Sequence, residues 1–169
     1  MLTAHLPSGY VLAWLWPAAP KGLMPAALAG AVFPDLDMIW FHLVDDRAFQ
    51  HHLYWVHIPL FWLCVAALVL PVLALWGRDW LGAGAVFLAA IGVHLLLDTI
   101  GGGVMWGAPW SRDLVTLVTV PARHGHWVVN FLLHWTFWAE IAIWLWAGVL
   151  LWRARRRGQG PLRAAKPGR

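Results

Sequence analysis

The sequence predicts an all-α fold, a multi-pass transmembrane helical bundle of three clear spans plus a short N-terminal helical hairpin. Three observations carry this reading. Of the 169 residues, 61% are hydrophobic and only 12% charged, whereas a soluble domain keeps about a quarter of its residues charged. Apolar runs near the roughly 20 residues needed to cross a bilayer core occupy Ile58 to Trp76, Leu81 to Leu97 and Trp127 to Trp152. Trp occurs 15 times, and indole, an apolar body with one N–H donor, favours the membrane–water interface. The length suits one domain, taken as residues 1–152, followed by a basic, disordered cytoplasmic tail at 153–169.

In chain order, Met1-Leu2-Thr3-Ala4-His5 lacks the basic n-region of a signal peptide. Gly9 to Trp16 and Leu23 to Phe33 are apolar segments broken by Pro17-Ala18-Ala19-Pro20-Lys21-Gly22. Each is too short for a straight span, so they form a hairpin of short or tilted helices. Residues 38–56 mix Asp45, Asp46, Arg47 and Gln50 with Trp40, Phe41, Leu43 and Phe49, which suits an interfacial helix and loop. In the first span Pro59 is tolerated in the opening turn, and Pro71 predicts a kink. Gly77-Arg78-Asp79 makes a tight connection to the second span. After Gly101-Gly102-Gly103 a loop runs to about His126, where Pro109, Ser111, Arg112, Asp113 and Pro121 exclude a span. Val115 to Val120, mostly β-branched, predicts a short extended piece. The single Cys64 excludes an internal disulfide and a Cys-rich zinc site, so any metal site must use His and carboxylate.

The net charge of +4 comes from Arg153, Arg155, Arg156, Arg157, Arg163, Lys166 and Arg169. After an apolar run such a tail reads as a cytoplasmic anchor facing anionic lipid rather than a nucleic-acid contact. With the tail inside, alternation through the spans puts nine basic residues inside, against Arg47, Arg112 and Arg123 outside. The same alternation gathers His5, Asp35, Asp37, His42, His51, His52, His57, His94, Asp98, His124 and His126 at the outer face.

His94 and Asp98, at i and i+4, share a helix face and can hold one ion. They close a membrane span, where ionisable groups are costly and kept for function. Asp35 and Asp37 follow Pro34. They either bridge two ions or supply one ligand and one helix cap. His52 and His57 are at i,i+5, so they serve one site only if the backbone bends before Pro59. His51 competes with His52, while His42 reads as a headgroup-level histidine. His124-Gly125-His126 is a flexible loop able to close over a site or bind phosphate. In the last span, Asn130 and His134 share a face, and Glu140 serves either as a proton route or as a hydrogen-bonding partner of a neighbouring helix.

These residues carry a resemblance. His5, Pro34-Asp35-Leu36-Asp37, His52-x4-His57 and His94-x3-Asp98, followed by Gly103-Val104-x2-Gly107-x-Pro109, are similar in order and spacing to the LexA-binding, inner-membrane-associated metal-dependent hydrolase family. That family distantly resembles the zinc-dependent phospholipase C and P1 nuclease group. The likeness covers residues 5 to about 113. It departs from the family's His-Arg-Gly-x-Thr-His, since Leu53, Tyr54 and Val56 make this stretch apolar.

The resemblance implies a hydrolase of the bacterial inner membrane with one to three Zn²⁺ ions, or Mn²⁺, at the periplasmic face. The implied ligands are His5, Asp35, Asp37, His52, His57, His94 and Asp98, with Asp37 also the candidate catalytic base. Arg112, Arg123, His124 and His126 are the candidates for binding a phosphoester or lipid-like substrate. A second class of function is a transporter or haem protein using His94, His134 and Glu140. A third is a membrane adaptor whose basic tail recruits a protein partner of unknown identity.

Overall fold

The computed structural model describes residues 3–158. Its helices, in chain order, are α1 (His5–Leu15), α2 (Leu23–Val32), α3 (Asp37–Leu43), α4 (Pro59–Trp76), α5 (Arg78–Gly101), α6 (Trp127–Leu132) and α7 (Trp135–Arg156). Short 3-10 turns occupy Pro34–Leu36, His51–Leu53 and Trp55–His57. The described residues contain no β-strand, and Val115 of the expected extended piece makes one isolated bridge to Val104. Helices α4, α5 and α7 are long and apolar enough to cross a membrane. α2 and the segment Pro34–Leu43 are bent by 51° at Phe33 and together have the length and composition of a broken span or a re-entrant loop.

Helix α5 is the centre of the bundle, with α1, α2 and α4 against it, and α7 packs on α1. Small residues allow the close approach expected where apolar burial alone does not hold helices together. At Gly30 of α2 the backbones nearly touch, since a Cβ there would lie 2.3 Å from the Phe87 carbonyl oxygen of α5. Around this contact Ala13, Leu23, Met24, Ala27 and Val86 form one buried cluster. Trp62, Ile91, Leu95 and Val104 form another, between α4, α5 and the loop after α5.

The hairpin of α1 and α2 is confirmed, each helix being half a span long, 11 and 10 residues. Gly22, at φ +73, turns the chain into α2 with a backbone that glycine adopts without strain. Lys21 lies over the Trp80 ring at 5.2 Å, which fixes the hairpin tip beside the start of α5. α4 continues through Pro71 to Trp76, and Gly77 alone separates it from α5.

The last apolar run is not one helix. His134 leaves helical geometry at φ −88, ψ 147, and its ring accepts a bond from the Thr136 N–H as the N-cap of α7. The spanning helix therefore begins at Trp135. It continues through Arg153, Arg155 and Arg156, so the first part of the expected tail is helical. Cations there suit the negative end of the helix dipole. The rest of the tail, residues 159–169, lies outside the described residues.

Two opposite ends result. α1 and α4 start, and α2 and α5 finish, at the end that carries the histidines and aspartates. α7 runs parallel to α1, since Thr3, just before α1, meets Glu140 and Val11 further along meets Ala147 and Leu150. Its 22 residues, about 33 Å of helix, carry Arg153–Arg156 to the Lys21 end.

Candidate metal centre

Four imidazoles converge on Asp98. The two turns at the C-terminal end of α5 bury His94 and Asp98 on one face, with His94 Nε2 3.0 Å from Asp98 Oδ2. From the first residue of α1, His5 Nε2 reaches Asp98 Oδ1 at 3.1 Å, its ring stacked on His94 with centroids 3.8 Å apart. His52 Nε2 and His57 Nε2 approach Asp98 Oδ2 at 3.6 and 3.8 Å. The bend that the i,i+5 spacing requires is present. Tyr54 is extended between the two 3-10 turns, and Pro59 opens α4 immediately after. The two rings consequently stack, 4.7 Å apart.

The other ring nitrogens define the tautomers. His94 Nδ1 faces the Ala31 carbonyl at 2.8 Å and His52 Nδ1 faces the Gly103 carbonyl at 2.7 Å. A carbonyl only accepts, so each Nδ1 donates, and each Nε2 is left facing Asp98. A backbone carbonyl behind a histidine is the usual way of orienting a metal-binding imidazole. His57 has the carboxylate version, its Nδ1 being 3.0 Å from Asp37 Oδ2. The Nε2 atoms of His57 and His94 are buried and lie 3.8 and 3.0 Å from the same oxygen, Asp98 Oδ2.

This donor set fits a metal ion. Four tetrahedral ligands at about 2.0–2.1 Å from zinc lie roughly 3.3 Å from one another, and the imidazole-to-Asp98 distances of 3.0, 3.1, 3.6 and 3.8 Å bracket that value. Three groups have ligand atoms close enough for a shared ion: His5, His94 and Asp98; Asp35, His57 and His94; and His51, His52 and His57. Burial also holds the His52 imidazole neutral, pushing its pKa down to about 4 although Asp98 pulls the other way.

The two carboxylates after Pro34 divide. Asp35, in the 3-10 turn, faces the centre, 3.7 Å from His94 Nε2. Asp37, at the start of α3, faces the Nδ1 atoms of His57 and of His51, the latter at 3.6 Å. His51 thus lies on the Asp37 side and His52 on the Asp98 side.

Beside the centre is a cavity of about 440 Å³ whose walls include His5, Asp35, Gln50, Asp98, Thr136 and Glu140. Arg112, Arg123, His124 and His126 are exposed and outside its lining. The His124 backbone instead exchanges two bonds with the Asn130 side chain. His126 Nδ1 accepts from the Val128 N–H and caps α6. His42 is exposed and bonded to the Met38 carbonyl, in keeping with a headgroup-level histidine. His134, the N-cap of α7, belongs to none of the three ligand groups. Gln50 and Thr136 were not legible as site residues, because ordinary polar residues near helix ends carry no spacing signal. Glu140 did carry one, as a carboxylate inside an apolar span.

The chain matches the model of the YdjM inner membrane protein family over residues 1–159, and it belongs to that family. No curated protein and no solved structure matches it.

Proposed function

We propose that this member of the YdjM inner membrane protein family is a membrane-embedded, metal-dependent hydrolase that cleaves a phosphoester, lipid-like in character, at the outer membrane face. The observation that carries the reading is the convergence of His5, His52, His57 and His94 on Asp98 at the wall of a cavity. The excess of basic residues at the opposite end of the bundle favours a cytoplasmic C-terminus, and hence a site at headgroup level on the other side.

Zn²⁺, or Mn²⁺, held by these residues would lower the pKa of a bound water to about 7 and polarise a phosphoryl oxygen. The chain's own residues do the rest. The Ala31 and Gly103 carbonyls fix His94 and His52, and Asp37 fixes His57. Asp35 lines the cavity as well as facing His94, so its carboxylate is placed to take up or return a proton there. Gln50 and Thr136 offer the substrate hydrogen bonds on the same wall, the part for which the cations Arg112 and Arg123 and the loop residues His124 and His126 are the sequence candidates.

The test is hydrolysis of a chromogenic phosphodiester and of phospholipid vesicles by detergent-purified protein. Activity is expected to vanish with chelator and return with Zn²⁺ or Mn²⁺. Asp98→Ala should lower it at least about 100-fold, more than the loss of an orienting partner usually costs. Metal-loaded protein that hydrolyses neither substrate, or activity indifferent to chelator and to Asp98→Ala, contradicts the proposal.

A further inference from the structure

Glu140 is fully buried in α7, a helix of spanning length, and the chemistry proposed above does not use it. An ionisable group at such a place is costly and is kept for a purpose. Its Oε2 accepts two bonds from Thr3, at 2.6 Å from the backbone N–H and 2.7 Å from the hydroxyl. One turn further along α7, Trp144 Nε1 donates to the same hydroxyl at 3.3 Å. Two side chains of the last span thus grip the residue two positions before His5.

His5 needs such a grip more than the other candidate ligands do. His94 and His52 are each oriented by a carbonyl and His57 by a carboxylate, whereas the buried Nδ1 of His5 has no hydrogen-bond partner. Its ring is therefore placed by its backbone and by stacking on His94. That backbone opens α1, at a helix end that frays unless it is tied. On the helical side Ser8 ties it, through its hydroxyl to the His5 carbonyl at 2.6 Å and its N–H to the Ala4 carbonyl at 2.9 Å. On the other side the tie is Thr3 to Glu140.

We infer that Glu140 is a positioning residue for the metal centre, fastening the segment that presents His5, so that the centre is completed only when the last span is docked. This rests on the metal-centre reading of the previous section. Glu140 touches no reacting atom in this role, and its effect passes through His5.

The experiment is a zinc titration against a chromophoric chelator, using full-length protein in detergent. The variants are Glu140→Leu, Glu140→Gln, His5→Ala and the Glu140→Leu/His5→Ala double variant. Glu140→Leu should weaken zinc binding about 10- to 100-fold, the range found when a ligand loses its supporting partner. His5→Ala should weaken it at least as much, and the double variant no further than His5→Ala alone. Glu140→Gln keeps an oxygen that accepts from Thr3 and should stay within about threefold of wild type. Thr3→Val, which alters no span, provides a second route if Glu140→Leu does not fold, and a loss of several-fold is expected. Unchanged affinity in Glu140→Leu, or in Thr3→Val where only that variant folds, overturns the inference alone, as does additivity in the double variant. Wild-type protein that takes up no zinc overturns the metal-centre reading and this inference with it.

Discussion

At His52 one physical cause, burial, acts on both ligand quality and stability. The folded protein holds its pKa near 4, against 6.5 for an exposed imidazole. Between these values the unfolded chain binds a proton that the folded chain does not. The contribution to stability is therefore intact above about pH 6.5 and lost progressively as pH falls toward 4. Chelator-treated protein should melt at lower temperature as pH is taken from 7 to 4.5, and His52→Asn should lose less over the same window. Parallel melting curves for the two proteins would rule out this assignment. Much at this scale was legible in the sequence, because His94-x3-Asp98 on a helix dictates a shared face. The division of labour between Asp35 and Asp37 was not. It depends on the 3-10 turn at Pro34–Leu36 and the start of α3 directing neighbouring carboxylates to different partners. Nor was the Glu140 partner legible, since 137 residues separate it from Thr3.

Among the elements, α5 shows how a helix end becomes part of a site. Gly102 follows its last turn, and a Cβ there would lie 2.2 Å from His52 Cε1. Only glycine leaves room for that ring beside Asp98. Gly102→Ala should displace His52 and weaken zinc binding about 10-fold, comparable to losing a ligand's support, with helix content unchanged. Gly92→Ala on the same helix, where nothing lies within 4 Å, is the neutral comparison. Equal zinc affinity in the two variants would show that His52 is not held in this way. Hydropathy located α4 and α5 to within a few residues because long apolar runs leave little choice in a bilayer. It joined α6 to α7 because the break depends on a single cap, His134 onto Thr136, which barely changes the average. The same blindness ended the last span at Trp152, although helical geometry persists to Arg156.

For the whole molecule, the central feature is polarity along the bundle: metal-ligand residues at one end, basic residues at the other, lipid-compatible surface between them. Alternation of spans was enough to gather the histidines and aspartates at one end, because every connection returns the chain to a predictable side. It could not show that Asp98, rather than the Asp35–Asp37 pair, is the residue on which four rings meet. That convergence needs the half-length hairpin to bring His5 and Ala31 against α5. The most direct measurement is the metal content of protein purified at neutral pH without chelator, for wild type and Asp98→Ala matched in helix content. At least one equivalent of zinc or manganese is expected per wild-type chain, and a small fraction of that in Asp98→Ala. Metal-free wild type, or a variant loaded as fully as wild type, would contradict the metal-centre reading.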